Sequence, residues 1–153
     1  MFYGVPTQCI EQAAQRYATP PAAIVSLLRN EGGRPGLAVA NTNGTQDLGP
    51  MQVNTSHLKF LIHYGYTYQT LRDDPCANVM AGTWIYARCL ARTGGVLRAA
   101  ACYNAGGRPW LAWQSGYVQR FAIHLRSVAA SAPAVSPGVE LIVEDGAHQE
   151  AAQ

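Results

Sequence analysis

The sequence predicts a mostly helical α+β domain, and three observations support this fold class. Apolar residues recur at helical spacing in several segments, which begin at capping residues or end at glycine. The segment 32–53 is instead rich in Gly, Pro, Asn and Thr, which argues against a helix. The chain of 153 residues is 48% hydrophobic and 13% charged, which suits one globular domain. We therefore expect a helical body with a small irregular β region.

The N-terminal segment is predicted to form two helices joined by a tight turn. The first covers residues 6–17 and carries one apolar stripe. The second has Thr19 as its N-cap and Pro20 as its first helical residue. Gly32 ends this helix directly after Glu31.

Glu31 is the candidate acid of this chain. It shares a helical face with the apolar residues Ile24, Leu27 and Leu28. Burial and the negative end of the helix dipole both disfavour a charged carboxylate there, so the pKa of Glu31 should be raised. A carboxyl group kept neutral in this way is suited to general acid catalysis. Because most glutamates at helix ends are solvated, this stretch alone also allows a surface role.

The segment after Gly32 is predicted to be an irregular hairpin around Asn43-Gly44. A helix should follow near residues 55–64 and end at Gly65. The residues of this helix that are expected to face inward are Leu58, Leu61 and Ile62.

Three further helices are predicted in the second half of the chain. The Asp-Pro pair at 74–75 is an N-cap followed by a first helical residue, and it opens a long, central helix that ends at Gly94. A shorter helix covers 97–105, and a last helix carries an apolar stripe over 117–128. A loop at 108–110 separates these two.

Residues 129–153 form a tail of Ala, Ser, Pro and Gly that ends acidic, and we predict that it is mostly disordered. The alternating run 139–144 is an alternative feature, since it suits addition as a strand to the sheet edge of a partner. The predicted domain therefore covers residues 1–128.

The charge distribution indicates an anionic partner. All eleven Lys and Arg residues lie at or before Arg126, whereas four of the nine Asp and Glu residues lie in the tail. A basic body suits a cell-wall polymer, a membrane surface or nucleic acid. The basic residues are scattered rather than clustered, so we expect no nucleic-acid binding. No apolar run is long enough for a membrane span.

Four cysteines, Cys9, Cys76, Cys89 and Cys102, show neither a CxxC pair nor zinc-ligand spacing. Their even number favours two disulfides and an oxidising compartment, with buried free thiols as the alternative. Three connectivities are possible. One of them joins Cys89 to Cys102 across a predicted helical hairpin and leaves Cys9 with Cys76.

The remaining chemistry is that of a carboxyl group. The histidines lack metal-ligand spacing, and no fingerprint of a serine nucleophile or a phosphate-binding loop occurs, so we predict no metal and no cofactor. Glycosidic cleavage usually takes two carboxylates. Asp47 is the only nearby second candidate, and its neighbours equally indicate a turn-stabilising role. A lone acid suffices if the substrate supplies its own nucleophile.

Three motifs then carry a family resemblance. They are Asn30-Glu31-Gly32-Gly33, Gly49-Pro50-Met51-Gln52-Val53-Asn54 and Cys102-Tyr103-Asn104-Ala105-Gly106, with Asn41-x-Asn43-Gly44 and Asp74-Pro75-Cys76 between them. In order and spacing this set resembles the soluble lytic transglycosylases, whose domain is similar to goose-type lysozyme. The resemblance covers roughly residues 7–128 and implies a lysozyme-like domain. It is closest to the small enzymes that accompany type IV secretion, conjugation and type III secretion systems.

The resemblance implies cleavage of the MurNAc–GlcNAc β-1,4 bond of peptidoglycan without water, which leaves a 1,6-anhydroMurNAc end. Glu31 matches the single catalytic acid, and Tyr103 matches the tyrosine that holds it. The positions that match substrate-binding residues are Gly49, Met51, Gln52, Asn54 and Asn104. The expected partners are glycan strands and, through the tail, components of a secretion system. We expect a monomer that is located in the periplasm. Residues 1–4 do not resemble a signal peptide, so we expect that a signal peptide has already been removed.

Three positions depart from the family pattern. Gly32 replaces the usual Ser after the acid, Pro50 replaces a Leu, and Cys102 replaces an Ala, the last consistent with an extra disulfide. Two other functions remain open from the sequence. One is a lysozyme-type muramidase that uses water, and the other is a peptidoglycan-binding assembly protein with little activity.

Overall fold

The computed structural model describes residues 1–131 of the 153-residue chain. Its elements, in chain order, are α1 Thr7–Arg16, α2 Pro21–Glu31, β1 Ala38–Ala40, β2 Gln46–Leu48, β3 Val53–Asn54, α3 Leu58–Leu61, α4 Tyr68–Asp73, α5 Pro75–Thr93, α6 Val96–Ala105, α7 Trp110–Gln114 and α8 Tyr117–Ser131. Helices dominate and the only sheet of the described residues has three short strands, so the predicted mostly helical α+β class is confirmed. None of the described helices combines the length and apolar character that a membrane span requires.

The long helix α5 is central, as predicted, and packs against α1, α4 and α6. On the other side of the core, α2 packs against α8, which also contacts α6. The rings of Tyr86 and Phe121 lie 6.3 Å apart where these layers meet, and both residues are fully buried. The apolar face of α2 contributes Ile24, Leu27 and Leu28 to this core, each with no exposed surface. This packing fixes the position of the last residue of α2.

Local capping signals explain both ends of α5. The side chain of Asp74 accepts hydrogen bonds from the backbone N–H groups of Cys76 and Ala77, and Gly94 ends α5 with a left-handed φ of 68°. The start of α2 differs from the prediction by one residue. Pro20 has an extended backbone (φ −57°, ψ 131°) and is the N-cap, so the helix begins one residue later. The hydroxyl of Thr19 donates to the carbonyl of Tyr17 instead of capping α2.

The segment predicted as an irregular hairpin forms the antiparallel pair β1–β2, which turns at Asn43-Gly44. The strand β3, which the sequence did not predict, pairs with β2 so that Leu48 faces Val53. The sheet order is β1-β2-β3. This small sheet stands beside the helical body and forms one side of a cleft.

Three short helical elements differ from the prediction. The helix expected near 55–64 is only four residues long, flanked by two 3-10 turns, and Ile62 is 60% exposed rather than inward-facing. Helix α4 was not predicted, although the reciprocal capping of Thr67 and Thr70 marks its start. Helix α7 was not predicted, and it begins at Trp110, the last residue of the predicted loop 108–110.

Of the three possible connectivities, the structure contains the one that joins Cys89 to Cys102 and Cys9 to Cys76. Cys9–Cys76 joins α1 to the start of α5 with a Cα–Cα distance of 5.1 Å, and Cys89–Cys102 joins α5 to α6 at 5.7 Å. No cysteine is free. Each bridge is expected to stabilise the fold by about 2–4 kcal/mol.

The described residues end with Ser131, the last residue of α8, three residues after the predicted domain end at residue 128. Residues 132–153, including the alternating run 139–144, lie outside the described residues.

Candidate active site

A cleft of about 1330 Å³ lies between the small sheet, the end of α2 and the exposed faces of α5 and α6. Glu31 and Asp47 are the two carboxylates that line it. Three of the predicted substrate-binding residues, Gln52, Asn54 and Asn104, also line it. The three sequence motifs are therefore brought together around one concave surface.

Backbone geometry explains how the first two motifs meet. Gly32 caps α2 in the left-handed region (φ 63°), which turns the chain away directly after Glu31. The glycine that replaces the family's serine is thus the residue that ends the helix. A Cβ on the next residue, Gly33, would lie 2.1 Å from the carbonyl oxygen of Gly49 and 2.8 Å from that of Pro50. Only glycine permits this close contact between the end of α2 and the second motif.

Glu31 occupies a site that favours its neutral form. The pKa of Glu31 is raised from 4.5 to about 7, mainly because burial disfavours the charged form and to a smaller extent because of the negative charge of Asp47. The hydroxyl of Tyr117 donates a hydrogen bond to Oε1 of Glu31 and lowers the pKa in part. The predicted increase in pKa is therefore present, with desolvation as its main cause.

The tyrosine that holds Glu31 is Tyr117, at the start of α8, and not Tyr103 as predicted. The hydroxyl of Tyr103 donates instead to the carbonyl oxygen of Met51 at 2.7 Å, which ties α6 to the second motif. Asn30, beside the acid, donates from Nδ2 to the carbonyl oxygen of Tyr117 at 3.0 Å. The sequence predicts Tyr117 only as part of the apolar stripe of the last helix. Because Tyr117 lies 86 positions after Glu31, no local pattern identifies this contact.

Gly49 and Met51 do not line the cleft, which corrects their predicted contact with sugar. A Cβ on Gly49 would lie 2.4 Å from Nδ2 of Asn78, and its φ is +68°. Met51 has no exposed surface, and its sulfur packs where a Cβ on Gly82 would lie, 2.6 Å away. Both residues shape the loop rather than reach the substrate.

The buried Asn78 holds that loop with three hydrogen bonds. Its Nδ2 donates to the carbonyl oxygens of Leu48 and Leu71, at 2.7 Å each, and its Oδ1 accepts from the N–H of Met51 at 2.8 Å. The role of Asn78 was not predicted from the sequence. The only sequence feature that marks Asn78 is that it is a polar residue on the core-facing side of a long helix.

Asp47 sits in a different environment from Glu31. It lies on β2, where its Oδ1 accepts from Nδ2 of Asn54 at 2.8 Å and its Oδ2 accepts from Nδ2 of Asn41 at 3.0 Å. The turn-stabilising role considered for Asp47 belongs to Asn43, whose Oδ1 accepts from the N–H and the hydroxyl of Thr45. Asp47 is therefore held by two amides on the cleft wall.

The arrangement suits acid catalysis on a long polar substrate. It combines one acid with a raised pKa, one hydrogen-bonded carboxylate and several amide side chains along an open cleft. Within residues 1–131, no group of three or more His, Cys, Asp and Glu side chains is placed to hold a metal ion.

Comparison with known proteins identifies related sequences. Residues 8–123 match the family model described as the transglycosylase SLT domain. Protein IpgF of Shigella sonnei is 32% identical over 102 residues, which cover 66% of this chain and 67% of that protein. Invasion protein IagB of Salmonella typhimurium (strain LT2) is 31% identical over 102 residues, covering 66% and 64%. The X polypeptide of Escherichia coli (strain K12) is 30% identical over 107 residues, covering 67% and 61%.

Proposed function

The chain belongs to the transglycosylase SLT domain family, and from this premise we propose that it is a lytic transglycosylase of peptidoglycan. The single observation that carries the proposal is the environment of Glu31. Its pKa of about 7 leaves about half of the carboxyl groups protonated at neutral pH, and they face a cleft of about 1330 Å³. A neutral acid in such a cleft is the group that cleavage of a glycosidic bond requires.

In the proposed reaction Glu31 acts first as acid and then as base. It donates its proton to the bridging oxygen while the bond from that oxygen to C1 of MurNAc breaks, and the bonding electrons leave with the oxygen. The C6 hydroxyl of the same MurNAc then bonds to C1 and gives its proton to Glu31. The products are a GlcNAc end with a free hydroxyl and a 1,6-anhydroMurNAc end. Glu31 is protonated again and no water is consumed.

The neighbours of Glu31 support this double role. The hydroxyl of Tyr117 holds one carboxyl oxygen, which keeps the group aimed into the cleft. Gln52 and Asn104 present amides along the same surface, which suit the hydroxyl and acetamido groups of the sugars. A dedicated second catalytic carboxylate is unnecessary in this mechanism, because the substrate supplies the nucleophile.

One observation favours a second candidate, a muramidase that uses water. Asp47 lines the same cleft as Glu31 and carries the second carboxylate that hydrolytic glycosidases use. Both of its oxygens already accept amide hydrogen bonds, from Asn41 and Asn54, so neither oxygen is free to orient a water molecule. We therefore rank hydrolysis below transglycosylation.

Mass analysis of muropeptides after digestion of purified sacculi tests the proposal. Anhydro ends, lighter than reducing ends by one water molecule, are expected from the wild type. Reducing ends alone would replace the proposal with the muramidase. Binding of the wild type to sacculi without any release of fragments would favour the wall-binding assembly protein instead.

We further propose that the enzyme works in the periplasm and opens the wall locally for a secretion or conjugation apparatus. The likeness to a protein named for invasion supports this context. Deletion of the gene should block assembly of such an apparatus, and a copy with Glu31→Gln should fail to restore it. Restoration by that copy would show that the apparatus does not depend on cleavage.

A further inference from the structure

We propose that the arginine face of the cleft binds the carboxylates of peptidoglycan stem peptides, so that the protein prefers peptide-bearing strands. The arginine face consists of Arg88 and Arg92 on α5 and Arg108 in the loop after α6, all of which line the cleft. The inference rests on the proposed function for its substrate class. It adds the group that the cleft recognises besides the sugars.

Helical spacing places the first part of this face along the cleft. Trp84, Arg88 and Arg92 are separated by four residues each, so they form one stripe on α5. The three side chains line the same cleft as Glu31. A ligand in contact with the acid can therefore also reach the stripe.

Two of the arginines are held in place by neighbours that leave hydrogen-bond donors free. The guanidinium carbon of Arg88 lies 4.8 Å from the ring centre of Trp84. Nη2 of Arg92 donates to Sγ of Cys102 at 3.0 Å, against the Cys89–Cys102 disulfide. Each guanidinium carries five N–H donors in a planar fork that fits a carboxylate with two hydrogen bonds.

The described part of the chain supplies no carboxylate for these arginines. Its one ion pair joins Arg72 to Asp73, outside the cleft. Of the two carboxylates in the cleft, Glu31 favours its neutral form and Asp47 is engaged by two amides. The arginine face is therefore a positive surface with free donors, which suits an anionic ligand.

The substrate carries matching groups at regular positions. GlcNAc is uncharged, and the lactyl group of MurNAc is amidated by the stem peptide, whose residues bear several carboxylates. The positive surface and these carboxylates are complementary in charge. A strand seated with a glycosidic bond at Glu31 would place a stem peptide along the cleft wall.

The test measures binding by co-sedimentation with three insoluble polymers. They are sacculi with intact stem peptides, amidase-treated sacculi, whose stem-free glycan strands with exposed lactyl carboxylates are immobilised on beads, and uncharged chitin. The protein is the full chain with Glu31→Gln, which prevents cleavage during the measurement. The test variant adds Arg88→Gln, Arg92→Gln and Arg108→Gln. The control variant removes the same charge outside the cleft by Arg16→Gln, Arg120→Gln and Arg126→Gln.

We expect the parent protein to bind peptide-bearing sacculi more tightly than the other two polymers. The test variant should lose about tenfold in affinity for peptide-bearing sacculi, since each of the three exposed ion pairs contributes a factor of about two. Its affinity for chitin should change little, and the control variant should bind like the parent. Equal binding to amidase-treated sacculi, or an equal loss in the control variant, would overturn the inference.

The muropeptide assay separates this inference from the proposed function. If the wild type releases anhydro ends but the two triple variants bind alike, the function stands and the inference fails. If no anhydro ends form but the test variant alone loses binding to peptide-bearing sacculi, the inference stands and the function fails.

Discussion

The end of α2 and the strand β2 each place one carboxyl group on the cleft, and the two environments differ. Glu31 closes an apolar helix that is packed into the core, and desolvation raises its pKa to about 7. Asp47 lies on a small sheet at the side of the body, where Asn41 and Asn54 donate to both of its oxygens. The helix end thus favours a neutral acid, whereas the strand surrounds its carboxyl group with amide donors.

The comparison shows that environment, more than residue type, assigns the chemical role. Burial without enough hydrogen-bond donors disfavours the charged form, whereas amide donors directed at both oxygens favour it. One site can therefore hold a proton donor and a fixed negative charge side by side. The charge of Asp47 in turn helps to keep Glu31 protonated.

The largest expected effect is loss of cleavage in Glu31→Gln. The variant lacks the transferable proton, so release of anhydro muropeptides from sacculi should fall by about 10²- to 10⁴-fold. Glu11→Gln, on the exposed side of α1, is the matched control and should retain wild-type activity. Substantial activity in Glu31→Gln would remove Glu31 from the mechanism.

The same substitution should stabilise the fold at alkaline pH. The pKa of Glu31 is raised in the folded state, from 4.5 to about 7, so the unfolded state gives up its proton first. Stability is therefore lost as the pH rises through this window. In urea unfolding, Glu31→Gln should exceed the wild type by up to about 3 kcal/mol at pH 8 and by little at pH 4. A gain that is independent of pH would contradict the buried-acid account.

Tyr117→Phe should move the alkaline limb of the pH–activity profile to higher pH. The hydrogen bond from Tyr117 lowers the pKa of Glu31, so its removal raises that pKa. The rate should also fall because the carboxyl group is less well oriented. The profile of Tyr64→Phe, a residue that is 76% exposed, serves as the reference. A shift to lower pH would show that the hydrogen bond stabilises the neutral acid instead.

Asp47→Asn should move the same limb to lower pH and by a smaller amount. The charge of Asp47 raises the pKa of Glu31, but it is a weaker influence than burial or the Tyr117 hydrogen bond. Asp73→Asn, at an exposed pair outside the cleft, controls for the change in net charge. A loss of activity as large as that of Glu31→Gln would make Asp47 a catalytic base and favour the muramidase.

The sequence predicted those parts of the fold that depend on local signals. Asp74 and Gly94 bound the central helix, and Gly32 ends α2, because capping requirements involve only neighbouring residues. The start of α4, which was not predicted, also carries a local signal, because Thr67 and Thr70 cap it reciprocally. Short helices and the two-residue strand β3 have too few residues for a periodic pattern.

The site was only partly predictable for a physical reason. The acid could be identified because apolar residues on one helical face imply burial of the next residue on that face. The partner of the acid could not, because the contact from Tyr117 forms only when α8 packs on α2. Gly49 and Met51 were likewise placed in the site by their motif, whereas Asn78 and Gly82 hold them in the body of the protein.

Titration of the Glu31 carboxyl group by carbon-detected NMR tests the central claim most directly. The full-length wild type is measured from pH 3 to pH 9, and the Glu31→Gln variant identifies the resonance. The account predicts a midpoint near 7, in line with a buried acid held by Tyr117. A midpoint near 4.5, the ordinary value for a solvated glutamate, would contradict it.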